Sequence, residues 1–168
     1  MMGIVFLGER QLELREFSDP TPAPRDVIIE IKASGMCGTD LHAYRCENSE
    51  AEPNIAGHEP CGVVIEIDNG VSEREAKVGA RVMVHHYKGC GVCRHCKTGW
   101  SQLCDDGAIV FGSGHGHGAH ARYMKVPAHT LIPLPDDLSF LAGAAIFCGT
   151  GTAFGALKRL GLEGDETI

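Results

Sequence analysis

The chain has 168 residues, 43% of them hydrophobic and 22% charged, which suits one packed domain with room for the start of a second. Its formal net charge of -7, from 15 Lys+Arg against 22 Asp+Glu, leaves no electrostatic footprint for a phosphate backbone, so no nucleic-acid partner is expected. No apolar run approaches the roughly 18 residues of a membrane span, and Glu9 and Arg10 close the opening apolar segment too early for a signal peptide; no membrane partner is expected, and the cytoplasm is, where cysteines stay reduced.

In chain order, residues 2–7, 11–16 and 27–34 read as strands, the second alternating polar and apolar, the third carrying Ile28, Ile29 and Ile31 after a Pro-rich turn. Residues 62–67 and 81–84 are two more, with Asp68-Asn69-Gly70 supplying turn chemistry between them. Residues 108–111 and 121–126 complete a strand-rich first half, most simply a closed or partly closed barrel. The 22 glycines, about twice the usual share of roughly 7%, fit many short strands joined by turns.

After Pro135 the texture changes. Asp136 or Asp137 is expected to cap a helix over residues 138–147, and residues 150–160 form a second helix candidate with Ala153, Ala156, Leu157 and Leu160 on one face. Gly161 ends it, and residues 164–168 read as a turn and the first residues of a further strand.

Eight cysteines and nine histidines in a reducing compartment favour metal over disulfides. Cys90-x2-Cys93-x2-Cys96-x7-Cys104 is the most specific signal. Two-residue spacers let one tight loop present three thiolates and a longer arm return the fourth, which suits a closed tetrahedral zinc site. Gly89, Gly91 and Gly99 give that loop its backbone freedom. Bacterial iron–sulfur ferredoxins share the first spacings but use x3 and then Pro, whereas here the last arm is x7 and Asp105 follows.

Other ligand candidates lie in three separate segments: Gly35-Met36-Cys37-Gly38-Thr39-Asp40-Leu41-His42, Gly57-His58-Glu59-Pro60-Cys61-Gly62, and Phe147-Cys148-Gly149-Thr150-Gly151-Thr152. Singly each is weak, since a lone His or Cys is more often packing than ligand. In that order, with the four-cysteine run between the second and third, they closely resemble the zinc-dependent medium-chain alcohol and polyol dehydrogenases over the whole chain.

The resemblance implies a mainly β fold with a few helices: a GroES-like β-barrel catalytic domain over residues 1–147. Residues 148–168 would then be a connecting helix and the start of a Rossmann nucleotide-binding domain. It implies two zinc ions. The catalytic one would be held by Cys37, His58 and Cys148, the Cys2His set known for alcohol dehydrogenase, with Glu59 able to approach the metal or replace its water. The structural one would be held by Cys90, Cys93, Cys96 and Cys104. Thr39 would take the proton of the alcohol and His42 would pass it towards solvent, the alternative for His42 being an ordinary surface histidine. Thr152 would face a cofactor, NAD or NADP, bound through the domain that follows. A small alcohol or polyol is the implied substrate, and a homo-oligomer, dimer or tetramer, the implied full-length state. The competing reading is a zinc-ribbon binding module without enzymatic activity; ligand candidates far from the ribbon count against it.

Some family members carry a basic residue after the first zinc cysteine, where this chain has Gly38. Cys46 and Cys61 belong to neither site; the first is expected in a loop beside the substrate cleft, the second in packing. Gly114-His115-Gly116-His117-Gly118-Ala119 matches a dinucleotide fingerprint formally, but no helix follows, since Pro127 ends the next segment. The stretch is expected to be a turn into a strand, with His117 or His120 near the cleft and a third metal site from His115, His117 and His120 disfavoured. His85-His86 is expected to support packing.

Overall fold

The computed structural model describes residues 1–47, 54–113, 116–162 and 164. Its strands are β1 (Met2–Gly8), β2 (Gln11–Glu16), β3 (Asp26–Gly35), β4 (Glu59–Ile67), β5 (Arg81–Val84), β6 (Tyr87–Lys88), β7 (Ile109–Val110), β8 (Tyr123–Pro127) and β9 (Leu131–Pro133). The helices are α1 (Gly38–Arg45), α2 (Arg94–Lys97), α3 (Phe140–Ala145) and α4 (Gly151–Leu160), the last two joined by a π turn, Ile146–Thr150. The strands expected up to residue 126 are all present. Short β6 and β9, and α1 and α2 beside the metal motifs, escape sequence reading because two to eight residues carry too little periodicity.

Five strands form an antiparallel sheet in the order β8-β3-β4-β5-β9, while β1-β2 and β6-β7 are separate two-stranded ribbons. The β1–β2 hairpin is tied on by the Ile4 N–H to the His120 carbonyl at 2.9 Å and by a single bridge between Gly3 and Ala121. The barrel is therefore partly closed.

β3 shows how the sequence buries it. Alternate residues Val27, Ile29 and Ile31 face a core completed by Val64, Val82, Val84, Phe111, Met124 and Val126. A second core, Ala33, Cys61, Met83, Leu134 and Ala144, seats α3 on β3 and β4. Cys61 is fully buried there, as expected, and a Cβ at Gly143 would come within 2.6 Å of its sulfur. That close approach brings the end of α3 to the ends of β3 and β4.

Two expectations need correction. The first helix is capped by Ser139, whose Oγ accepts the Ala142 N–H at 3.1 Å, and not by Asp136 or Asp137. Cys46 is the C-cap of α1, where the chain leaves the helix, its S–H donating to the Ala43 carbonyl at 3.1 Å. Residues 138–157 carry no charge, and α3, the π turn and α4 run on as one 21-residue helix, Phe140–Leu160, whose most apolar 18-residue stretch has a mean hydropathy of 1.6. By length and composition alone that helix passes for a membrane span, contrary to the expectation that no apolar run comes close. Its first half is docked on the sheet through Gly143 and Ala144, while Leu141, Phe154, Leu157 and Leu160 are exposed. The strand expected over residues 164–168 lies outside the described residues, apart from Gly164.

Ile29 is fully buried and Leu14 is 60% exposed. Ile29→Ala is therefore expected to destabilise the domain by about 2–5 kcal/mol and Leu14→Ala by less than about 0.5 kcal/mol. Urea denaturation of both variants measures the contrast.

Candidate functional site

β3 ends at Gly35, and Cys37 follows as the N-cap of α1. Asp40, in the first turn of that helix, folds back so that its Oδ2 accepts the Cys37 N–H at 2.7 Å. Its other oxygen stands 3.4 Å from His58 Nδ1, with both side chains buried. His58 and Glu59 sit at the entry to β4, only 5% and 6% exposed. The π turn delivers Cys148, whose sulfur is 3.7 Å from that of Cys37.

The outcome is that one donor atom from each of Cys37, His58, Glu59 and Cys148 lies within 4.8 Å of the others. Metal–sulfur bonds near 2.3 Å in a tetrahedron give edges of about 3.8 Å, which the Cys37–Cys148 separation of 3.7 Å matches. Thr39 Oγ1 is 3.9 Å from the Cys37 sulfur. His42, three residues on in α1, and Thr152, one turn beyond Cys148 in α4, are exposed and outside the cluster.

The charges of this cluster are unbalanced without a cation. Hydrogen bonding to Asp40, together with its charge, lifts His58 to about 9 despite burial. The Thr39 backbone N–H, with help from His58, holds the Cys37 thiol below its ordinary range. Burial, then the neighbouring Cys37, pushes Cys148 up to about 12. Burial raises Asp40, but the hydrogen bonds from His58 and the Cys37 N–H outweigh it, and its carboxyl titrates below the usual value. In the metal-free cluster Cys37 is therefore the more acidic thiol, Cys148 the less acidic one, and His58 a more basic imidazole than usual. A divalent cation among the same atoms would let both thiols ionise and His58 bind neutral.

Two neighbours of the cluster lie outside the ligand set that the sequence suggests. Asp40 orients His58, the usual second partner of a metal-binding imidazole; the signal was its place three residues after Cys37, where a capping carboxylate belongs. His86 packs edge-on against His58 with ring centroids 5.5 Å apart, its Nδ1 buried without a partner. Burial, then nearby His58 and His85, takes it down to about 4, so it is neutral. It is a packing residue, as expected, but one in the wall of the cluster. His117 Nδ1 accepts the Ile55 N–H at 3.2 Å, and His120 Nδ1 pairs with Ser34 Oγ at 2.9 Å. The Gly114-His115 part of the fingerprint and of the disfavoured third metal site lies outside the described residues.

Cys90, Cys93, Cys96 and Cys104 form the second cluster, again with donor atoms within 4.8 Å of one another. Backbone N–H groups point at the sulfurs: Cys90 N to Cys104 Sγ and Cys93 N to Cys90 Sγ, both 3.3 Å, and Cys96 N to Cys93 Sγ at 3.4 Å. Gly91 and Gly99 take positive φ, 76° and 83°, as the loop requires. Gly89 serves differently: a Cβ there would overlap the Cys96 sulfur. N–H donors from Asp105 and Cys96 bring Cys93 down to about 7. Cys96 gains from the Gly91 N–H, yet burial and the other three thiols drive it up to about 12. Four such sulfurs cannot all ionise without a cation between them.

A partly closed antiparallel barrel bearing one four-cysteine cluster and one mixed Cys/His/Glu cluster defines a GroES-like metal-binding domain. Residues 23–136 match the alcohol dehydrogenase GroES-like domain family, and the chain belongs to that family. It is 36% identical to an uncharacterised zinc-type alcohol dehydrogenase-like protein, YphC, of Escherichia coli, over 100% of this chain and 50% of that one. It is 35% identical to an alcohol dehydrogenase of Geobacillus stearothermophilus, over 95% and 47%. The solved structure of acetophenone reductase from Geotrichum candidum in complex with NAD superposes with a TM-score of 0.85 at 28% identity, covering 98% of this chain and 48% of that one. The chain spans about half the length of the relatives it matches.

The Asp40–His58 pair sets a pH signature in the chelator-treated protein. A His raised from 6.5 to about 9 stabilises fully below 6.5 and loses that contribution as the pH climbs through 9. A lowered Asp40 contributes above its ordinary 3.8 and is lost on acidification. Metal-free melting temperatures should therefore fall between pH 6.5 and 9, and His58→Gln should flatten that fall. An equally steep fall in the variant removes the pair as its origin.

Proposed function

We propose that this chain is the metal-holding catalytic part of a zinc-dependent oxidoreductase that moves a hydride between a small alcohol or polyol and NAD or NADP. The observation that carries the reading is the convergence of Cys37, His58, Glu59 and Cys148, from three segments up to 111 residues apart, on one point. Residues 1–147 are the GroES-like catalytic domain, and residues 148–168 are the connecting helix and the start of a nucleotide-binding domain. The relatives, at twice the length, support that division.

Cys37, His58 and Cys148 hold the catalytic zinc, with Glu59 a ligand in some states. Cys90, Cys93, Cys96 and Cys104 hold the structural zinc. Bound zinc supplies Lewis acidity towards the substrate hydroxyl, and the nicotinamide supplies a hydride acceptor. The remaining work falls to the chain's own side chains. Asp40 fixes the ring of His58 and its tautomer through Nδ1, leaving Nε2 for the metal. The Thr39 hydroxyl, beside Cys37, accepts the substrate's proton while donating its own, since a hydroxyl is both donor and acceptor. Exposed His42 passes the proton to solvent. Thr152 faces the cofactor.

Elemental analysis of carefully reduced protein should give two zinc ions per chain, and Cys104→Ser should leave one. Iron, or a single zinc in the parent protein, overturns the assignment. Replacing a ligand of the closed cluster, Cys93→Ser, should lower the melting temperature more than Cys148→Ser, because closed sites contribute folding energy outright.

The 168 residues alone should bind zinc yet oxidise no alcohol or polyol with NAD or NADP, because hydride transfer needs a nicotinamide held in contact with the substrate. The full-length protein should turn over, and Thr39→Ala in it should lower kcat about 100-fold or more, the usual scale for a positioned proton-transfer group, with zinc retained. Turnover by the 168 residues would place the cofactor site within them.

A further inference from the structure

Glu59 reaches its cluster across a space that its neighbour leaves empty. Gly35, the last residue of β3, is the cross-strand partner of Glu59, the first of β4. Directly opposed residues in an antiparallel pair project their side chains from the same face, with Cβ atoms about 4.5–5.5 Å apart. The Glu59 side chain instead folds down over the Gly35 backbone. A Cβ at position 35 would lie 2.9 Å from both Cβ and Cδ of Glu59 and would overlap Oε2.

The backbone does not explain the glycine. Gly35 is not among the positive-φ glycines, so an alanine could adopt its conformation without strain. Position 35 needs room only. The room is filled by a carboxylate that is itself 6% exposed and whose oxygen lies within 4.8 Å of the Cys37, His58 and Cys148 donors.

We propose that Gly35 is a positioning residue: the missing Cβ admits the Glu59 carboxylate to the fourth corner of the Cys37–His58–Cys148 cluster. The proposal rests on reading that cluster as a metal site. A side chain at 35 would meet Glu59 at its Cβ as well as at its carboxylate and would push that side chain off the strand face, the three nearest atoms to the added Cβ all belonging to Glu59. Position 35 thereby controls whether the fourth corner is shared between a protein carboxylate and an exchangeable ligand, or left to the exchangeable ligand alone.

The test uses the full-length protein with cobalt in place of zinc, whose visible bands report the donor set. Difference spectra against Cys148→Ser separate this cluster from the four-cysteine one. Gly35→Ala is expected to keep two metal ions per chain and to move the cobalt bands to where Glu59→Ala moves them. Added to Glu59→Gly, which removes the carboxylate and the Cβ that position 35 would meet, it should have no further effect. A merely structural glycine would show the same change in both backgrounds, and that result overturns the proposal, as do identical spectra for the parent and Gly35→Ala. If Gly35→Ala alone does not fold, the double variant Gly35→Ala/Glu59→Gly, from which both the carboxylate and the Cβ at 2.9 Å are gone, must recover folding; if it does not, the proposal fails. Absence of a Cys148-dependent cobalt signal in the parent protein overturns the metal reading itself, which separates the two failures.

Discussion

The antiparallel ladder between β3 and β4 ends with Gly35 opposite Glu59, and the candidate site hangs on that register. It sets Cys37, two residues past the end of one strand, beside His58, one residue before the start of the other. Strand side chains alternate with a period of two, so a slip of one residue would turn Glu59 to the opposite face and leave Gly35 opposed to another side chain. The core guards against this, because Val27 and Ile29 on β3 and Val64 on β4 are completely buried and could not be exposed cheaply. The hydrophobic pattern that builds the barrel is thus the pattern that aims the ligands.

Electrostatics then explains why the donors are supported as they are. Cys37 and Cys148 lie 3.7 Å apart, too close to share two negative charges without a cation. Cys37 receives a helix N-terminal N–H environment and its partner does not, so the first is the more easily ionised thiol and the second the less. Asp40 ties the arrangement together by bonding the Cys37 N–H with one oxygen and facing His58 with the other. Removing that carboxylate would loosen Cys37 and His58 at once, although it is not itself among the four clustered donors.

Both clusters were legible in the sequence because metal chemistry demands particular residue types at particular spacings. The four-cysteine loop could be read from spacing alone. Cys37, His58 and Cys148 could be grouped only through a family resemblance, since strand pairing and helix docking, not sequence proximity, bring them together. What stayed hidden has a common physical character. The role of Gly35 depends on an absent atom facing a residue 24 positions away in the chain. That His86 forms part of the wall depends on a ring packing that no periodicity encodes. The helix cap was misplaced because Asp136, Asp137 and Ser139 are all good caps, and the choice is made by where the chain turns onto the sheet.

The uncharged stretch from 138 to 157 shows how tertiary demands reshape a local reading. Cys148-Gly149 looks like a break between two helices, and a regular helix through it is disfavoured by glycines at 149 and 151. The chain resolves this with a π turn, in which the Thr150 hydroxyl also donates to the Ala145 carbonyl at 3.1 Å. A single-turn π bulge rotates the residues after it relative to those before. Before the bulge, Gly143 and Ala144 face the sheet; at the bulge, Cys148 meets Cys37; after it, Phe154, Leu157 and Leu160 face outward. The same irregularity therefore serves the cluster and turns an apolar surface away from this domain's own core. The near-continuous apolar composition of the segment follows from these separate contacts, not from one uniform environment.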